Sequence, residues 1–248
     1  MERWCGKLAI VTGASAGIGA AIARRLAESG IVVAGVAPDK ERIDENAKKL
    51  QGRGKLCGFK IDVTKENEII KGFQEISKKL GPIHILVNNA GILPYTSLID
   101  GETDKWKQVL DVNILGLCLC TREAIKNMIC NKVDGHIVHI NSVVGHGVPI
   151  WKNMNLYPAT KHAVTALTDS WRYELIENCL NIKVSSVSPG LVATEIFKAA
   201  TFELPPNLKT APTLNPEDIA NGVVYAVGTP PHVQVKELTI KPMGETFI

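Results

Sequence analysis

A single α/β domain, a doubly wound parallel sheet with helices on both faces, is the fold the sequence predicts. Short apolar runs alternate with helical patterns along the whole chain. The runs are apolar almost throughout, as strands covered on both faces require. A glycine-rich turn lies directly between the first run and the first helical stretch.

In chain order, Lys7–Thr12 reads as the first strand, and the alanine-rich stretch Gly17–Ser29 as the helix that follows the turn. Ile31–Val36 is the second strand and Glu41–Leu50 a charged helix. Lys55–Ile61, Ile83–Val87, His136–Ile140, Lys183–Val187 and Val235–Ile240 are further strands, and Thr103–Ile129 and Tyr157–Asn178 are long helical segments. Strand–helix repetition of this kind builds a parallel sheet. No linker, repeat or low-complexity segment divides residues 1–248, which read as one domain. The regular alternation lapses at about 191–215, where Pro205, Pro206 and Pro212 stand among apolar residues. A stretch that long between strands reads as a lid or mobile loop.

Composition excludes several classes. A 45% hydrophobic and 21% charged chain is an ordinary globular one. The net charge of +3, with its basic residues scattered, argues against a nucleic-acid partner. No uncharged apolar stretch approaches the ~18 residues of a membrane span, and Met1–Lys7 lacks the apolar core of a signal peptide. Cys5, Cys57, Cys118, Cys120, Cys130 and Cys179 form neither a CxxC nor a disulfide framework, which points to reduced thiols in the cytoplasm. No His or Cys completes a metal site beside Cys118 and Cys120, and His136 and His139 fall on opposite faces of their strand, so no metal is expected.

The turn Thr12-Gly13-Ala14-Ser15-Ala16-Gly17-Ile18-Gly19 has the glycines that allow close backbone approach, and it opens a helix whose free N–H groups suit a pyrophosphate. The alternative is a tight strand–helix turn without a ligand. Gly13–Gly17 also fits G-x-S-x-G, but too little chain precedes Ser15 to build a hydrolase sheet. Far downstream, Tyr157 and Lys161 are four residues apart on a helix, with Cβ atoms about 5–6 Å from each other. An ammonium there would favour the phenolate, bringing a group that ionises near pH ~10 closer to neutrality, where it can donate and accept protons in carbonyl or alcohol chemistry.

With Asp62-Val63, Asn88-Asn89-Ala90-Gly91, Asn113, Ser142 and Pro189-Gly190 in order between these two motifs, the chain closely resembles a short-chain dehydrogenase/reductase over essentially its full length. The resemblance implies a Rossmann-type NAD(P)-binding fold and an oxidoreductase that interconverts alcohols and carbonyls. By it, Gly13, Ser15, Ile18 and Gly19 wrap the pyrophosphate, and Asp62 and Val63 meet the adenine. Asn89, Ala90 and Gly91 line the adenosine ribose, and Pro189, Gly190, Val192 and Thr194 hold the carboxamide. Ser142 and Tyr157 would bond the substrate oxygen, Lys161 would tune Tyr157 and bond the nicotinamide ribose, and Asn113 would hold a relay water. Simpler readings stand beside these: Ser142 as a turn serine, Asn113 as a helix distortion, Asn88-Asn89 as a self-capping strand end.

Cofactor choice turns on Ala37-Pro38-Asp39-Lys40-Glu41-Arg42. Asp39 argues for NAD, while Lys40 and Arg42 are placed to meet a 2′-phosphate; relatives tip the expectation to NADP. Met1–Trp4, residues 88–93 and Leu238–Pro242 are most similar to insect farnesol-dehydrogenase-like members, with ketosteroid-reducing vertebrate counterparts. That implies an apolar alcohol or carbonyl substrate against Leu93, Tyr95, Val144, His146, Trp151, Met154, Leu191 and Phe197. These residues also suit plain packing, and His146 a solvated loop. The family association surface, on the helical segments carrying Trp106 and Trp171, implies a homodimer or homotetramer. A scaffold without chemistry would be signalled by loss of Ser142, Tyr157 or Lys161, and all are present.

Overall fold

The computed structural model describes residues 1–150, 156–196 and 210–246. The strands are β1 (Leu8–Thr12), β2 (Val32–Ala37), β3 (Lys55–Lys60), β4 (Ile83–Asn88), β5 (Gly135–Ile140), β6 (Ile182–Pro189) and β7 (Glu237–Ile240). The helices are α1 (Gly17–Glu28), α2 (Lys40–Ala47), α3 (Glu66–Leu80), α4 (Thr103–Leu110), α5 (Leu117–Asn131), α6 (Leu156–Glu177) and α7 (Pro216–Gly228). The strands form one sheet in the order β3-β2-β1-β4-β5-β6-β7, and every neighbouring pair is parallel. Strand order reverses between β1 and β4, which opens a crevice at their C-terminal ends.

Successive residues of each strand serve opposite faces. Ala9 and Val11 join a core with Ile22 and Leu26 of α1 and Ile219, Val223 and Val227 of α7. Leu8 and Ile10 join Ile69, Phe73 and Ile76 of α3, Ala124 and Met128 of α5 and Leu175 of α6. Burial on both faces explains the unbroken apolar runs. Among the described residues no helix is long and apolar enough to cross a membrane.

Local chemistry sets the helix limits. Asp39 starts α2 by accepting the Arg42 N–H at 3.0 Å. Asn215 and Asp218 form a reciprocal capping box on α7, with Pro216 in its first turn. The expected helix to Leu50 stops at Ala47, because Lys49 and Leu50 donate three residues back, to Asn46 and Ala47, in a tightened turn.

Nor is Thr103–Ile129 one continuous helix. Asp111–Gly116 widens into a π-helical turn between α4 and α5. At its centre Asn113 turns inward: its Oδ1 accepts from Ile92 N at 2.9 Å, and its Nδ2 donates to Ile92 O at 3.0 Å and Thr160 Oγ1 at 3.1 Å. A Cβ on Gly116 would lie 2.7 Å from Val63 O, so glycine lets the turn approach the end of the β3 crossover. β7 begins at Glu237 instead of Val235, since only Glu237–Ile240 pair with Ser186–Pro189 of β6. Trp106 and Trp171 are both engaged within the chain, the first donating to Thr96 Oγ1 and Ser97 O at 3.1 Å, the second meeting His139 edge-on at 5.3 Å.

His136 and His139 are fully buried on opposite faces of β5, bonded to Ser185 Oγ at 2.8 Å and Thr168 Oγ1 at 2.9 Å. Burial, with Lys183 and Arg3 near His136 and Arg172 and Lys161 near His139, holds each imidazole neutral with a pKa of about 3. In the unfolded chain both protonate near pH ~6.5, so stability is intact above that value and declines as pH falls toward about 3. The expected slope is at most about 1.4 kcal/mol per pH unit for each histidine. Denaturant titrations at about pH 7.5 and about pH 5 should show that loss, and a His136→Asn/His139→Asn variant should flatten it; an unchanged slope in the variant would refute the assignment.

Candidate active site

The crevice is built first from the turn after β1. Gly13 and Gly17 have φ of +66° and +52°, which glycine adopts without strain. A Cβ on Gly19 would lie 2.2 Å from Gly13 O, so glycine there lets α1 start against the turn. The turn is tied to β4. Thr12 Oγ1 accepts from Asn89 N and Ala90 N, each at 3.0 Å, while Asn89 Nδ2 donates to Thr12 O at 3.0 Å and Gly13 O at 3.2 Å. Asn88, by contrast, donates to Thr121 Oγ1 at 2.8 Å inside the core.

Around this junction lies a cavity of about 610 Å³. Gly13, Ser15, Ile18 and Gly19 form one end, with Asp62, Val63, Asn89, Ala90 and Gly91 beside them. Pro189, Gly190, Val192 and Thr194 form another wall, and Ser142, Tyr157 and Lys161 a third. These residues fit a dinucleotide. The first turn of α1 has neither a side-chain cap nor an acidic residue, leaving its N–H groups to an anion. Asp62 stays ionised: burial raises its pKa, but the N–H and hydroxyl of Thr64 and the nearby Lys65 outweigh this and lower it. It is thus an acceptor for an amino group.

Ser142 follows β5 and starts the short turn Val143–Gly145, accepting from Val144 N at 3.3 Å. Its hydroxyl is hydrogen-bonded with Tyr157. Lys161 Nζ donates to Ile140 O at 2.8 Å and lies 5.6 Å from the centre of the Tyr157 ring. Burial lowers the lysine pKa to about 8. The expected depression of the tyrosine pKa is not what this geometry produces. Burial pushes the phenol up, the Ser142 bond offsets only part of this, and the ammonium is directed to a backbone carbonyl. Tyr157 is therefore a protonated phenol at neutral pH.

The short chain dehydrogenase family pattern matches residues 7–203. The chain belongs to that family. It is 49% identical over 250 residues to a farnesol dehydrogenase of Aedes aegypti, covering 100% of both chains. To dehydrogenase/reductase SDR family member 11 of Mus musculus it is 41% identical, covering 98% of this chain and 96% of that one. Among solved structures, an alcohol dehydrogenase from Thermococcus sibiricus complexed with 5-hydroxy-NADP superposes with a TM-score of 0.83 at 26% identity, over 97% of this chain and 98% of that one. A closed serine dehydrogenase complexed with NADP+ reaches 0.86 at 28% identity, covering 97% and 96%. This short-chain dehydrogenase is an oxidoreductase with a Rossmann-type dinucleotide fold.

Several expected site residues lie elsewhere. Lys40 does not line the cavity; it pairs with Asp44, which also accepts from Gly58 N at 3.0 Å. Arg42 is likewise off the wall, paired with Glu195 at 3.0 Å. His146 bonds Ser188 Oγ at 3.0 Å and lies 3.7 Å from Glu237, which directs it to the rear of β6 and β7. Tyr95 does not line the cavity, whereas Leu93, Val144 and Leu191 do. Asn113 stands behind the wall, holding Ile92, which lines the cavity. Trp151, Met154 and Phe197 lie outside the described residues. The Thr12 hydroxyl, Gln108, Glu195 and Glu245 belong to the site without having been expected there. Thr12 heads the glycine turn and was visible as such; the others reach the cavity only through the fold.

Thr12→Val should leave the Asn89 and Ala90 N–H groups without their acceptor and cost about 1–3 kcal/mol in denaturant unfolding. Thr12→Ser should recover most of it, and equal stability of Val and wild type would count against the tie.

Proposed function

We propose that this short-chain dehydrogenase interconverts an apolar alcohol, of the farnesol-like prenol class, and its aldehyde or ketone, with NADP preferred over NAD. The observation that carries the reading is the presence of Ser142, Tyr157 and Lys161 on the same cavity as the glycine turn. A nicotinamide dinucleotide, when bound, supplies the hydride in reduction and takes it in oxidation. Tyr157, protonated at neutral pH, gives its proton to the carbonyl oxygen as the carbon is reduced and recovers it in the reverse direction. Ser142 holds the same oxygen and the phenol together. Lys161, still charged below about pH 8, offsets negative charge on the phenolate that Tyr157 becomes. Asn113 supports this wall through Ile92 and Thr160.

The apolar substrate class is supported by Leu93, Val143, Val144, Leu191 and Ile196, which give the cavity a hydrocarbon wall near the acid/base group. The Aedes farnesol dehydrogenase identity points the same way. The same wall suits a steroid or other bulky ketone, which is the alternative reading. Residues 191–215 are the substrate loop in this proposal, of which 197–209 lie outside the described residues.

NADP preference draws on the NADP-bound structural relatives and on Asp39. Its carboxylate, which would take the ribose hydroxyls of NAD, is engaged as the cap of α2. Arg42 would have to leave Glu195 to meet a 2′-phosphate. A homodimer or homotetramer is supported by Leu110, Leu115, Ile129, Tyr173 and Ile176, exposed on the two helical segments where this family associates. The six free cysteines fit a reducing cytoplasm.

Tyr157→Phe should lower turnover by about 10²–10⁴-fold, the usual contribution of a general acid, with NADP binding unchanged. Turnover near wild type would remove Tyr157 from the mechanism. Following nicotinamide absorbance with farnesol, steroids and small diketones, each with NADP and NAD, should give the highest kcat/KM for farnesol with NADP. A higher value for a steroid selects the alternative, and a higher value with NAD rejects the cofactor preference.

A further inference from the structure

Among the described residues three carboxylates line the cavity, and their side chains differ sharply in exposure: Glu195 is 57% exposed, Asp62 33% and Glu245 1%. The buried one comes from near the end of the chain. Glu245 N donates to Pro242 O at 3.2 Å, closing a four-residue turn whose third position, Gly244, has φ of +85°. A positive φ there is what a type II turn requires. The turn folds the carboxylate back over the C-terminal end of β6. Oε2 accepts the Leu191 N–H at 3.1 Å, and Oε1 lies 3.2 Å from Lys241 Nζ.

Gly190 is shaped by this contact. It is not among the positive-φ glycines, so backbone conformation does not demand glycine there. A Cβ would lie 2.2 Å from Glu245 Oε2 and 3.0 Å from Pro242 Cδ. The missing side chain makes room for the carboxylate. Gly190 N also donates to Ile240 O at 2.8 Å, which brings β7 and the turn after it against the same spot.

Leu191 opens the segment that carries Val192 and Thr194 along the cavity. Further on, Ala193 N donates to Leu214 O at 2.9 Å, Leu214 N donates to Leu191 O at 2.8 Å, and Glu195 pairs with Arg42. The Glu245 bond fixes the segment at its first N–H, directly after the strand. A bond from an N–H to a carboxylate is stronger than one to a neutral acceptor. A buried carboxylate that loses its partners is costly, which keeps this one committed to Leu191 and Lys241.

We infer that Glu245 is a positioning residue: through Leu191 it sets the path of residues 191–194, and with it the grip on the nicotinamide end of the cofactor. The inference rests on the cofactor reading of the cavity given above. It assigns the C-terminal turn a part in cofactor affinity that neither the glycine turn nor the acid/base group supplies.

The test uses the full-length protein, with amide hydrogen exchange at Leu191–Thr194 measured without cofactor and NADP+ affinity measured by titration. Glu245→Ala should speed exchange at Leu191 and raise the NADP+ Kd and cofactor KM by about tenfold, the factor set by losing one charge-assisted bond. The change in kcat should be smaller. Glu245→Gln keeps an acceptor for the Leu191 N–H and should restore most of both. If the alanine variant does not fold, Glu245→Asp, which keeps the charge but withdraws it by one methylene, should show the same two changes in smaller degree. Unchanged exchange overturns the inference. So does faster exchange with Kd within twofold of wild type, since the contact would then serve stability alone. Wild-type protein that binds neither NADP+ nor NAD+ overturns the cofactor reading instead, and exchange at Leu191 then decides by itself whether Glu245 holds the segment.

Discussion

The hydroxyl of Thr12 and the amide of Asn89 form the junction on which the site depends. At the end of β1 one oxygen accepts two backbone N–H groups from the chain leaving β4, while the Asn89 amide returns two bonds to the carbonyls of Thr12 and Gly13. A parallel sheet must separate its chains where strand order reverses, and that separation leaves strand-end backbone groups without ladder partners. These four bonds satisfy such groups and set the width of the crevice. The glycine turn, α1 and the Asn89–Gly91 wall take their positions from them.

Charge is handled in two ways around the crevice. Where groups are exposed, cations and anions are paired: Lys40 with Asp44, Arg42 with Glu195. Such exposed pairs contribute little to stability, so a ligand bound beside them re-sorts them at little cost. Where groups are buried, the charged forms are disfavoured: the Tyr157 phenol is held protonated and the Lys161 pKa falls to about 8. Buried Glu245 keeps an N–H and an ammonium within reach. Around Tyr157 and Lys161, protonation states thus follow from desolvation more than from pairwise attraction.

Much of this was legible in one dimension. Apolar runs fully buried on both faces are visible as runs, and the spacing of glycines after β1 marks a turn against a helix start. The family resemblance carried by Asp62, Asn89, Ser142, Tyr157 and Lys161 implied a shared site, and the fold brings all five to one cavity. Boundaries were less legible: Asn113 was readable as a helix distortion, but the extent of the π turn at Asp111–Gly116, from which its side chain reaches Ile92 and Thr160, has no period of its own.

Fold class and the glycine turn are written locally, because each depends on a spacing that survives as a pattern along the chain. Which side chains are engaged over long range was settled by the fold. Arg42 and His146 looked available until Glu195 and Ser188, 153 and 42 positions away, were brought beside them. Tyr157 looked poised to ionise until burial raised its pKa and Ile140 took the Lys161 bond. The bond from Leu191 to Glu245 gave no local sign, since the two are 54 positions apart. Solvation and long-range pairing set the behaviour of a charge, and neither is written in the residues next to it.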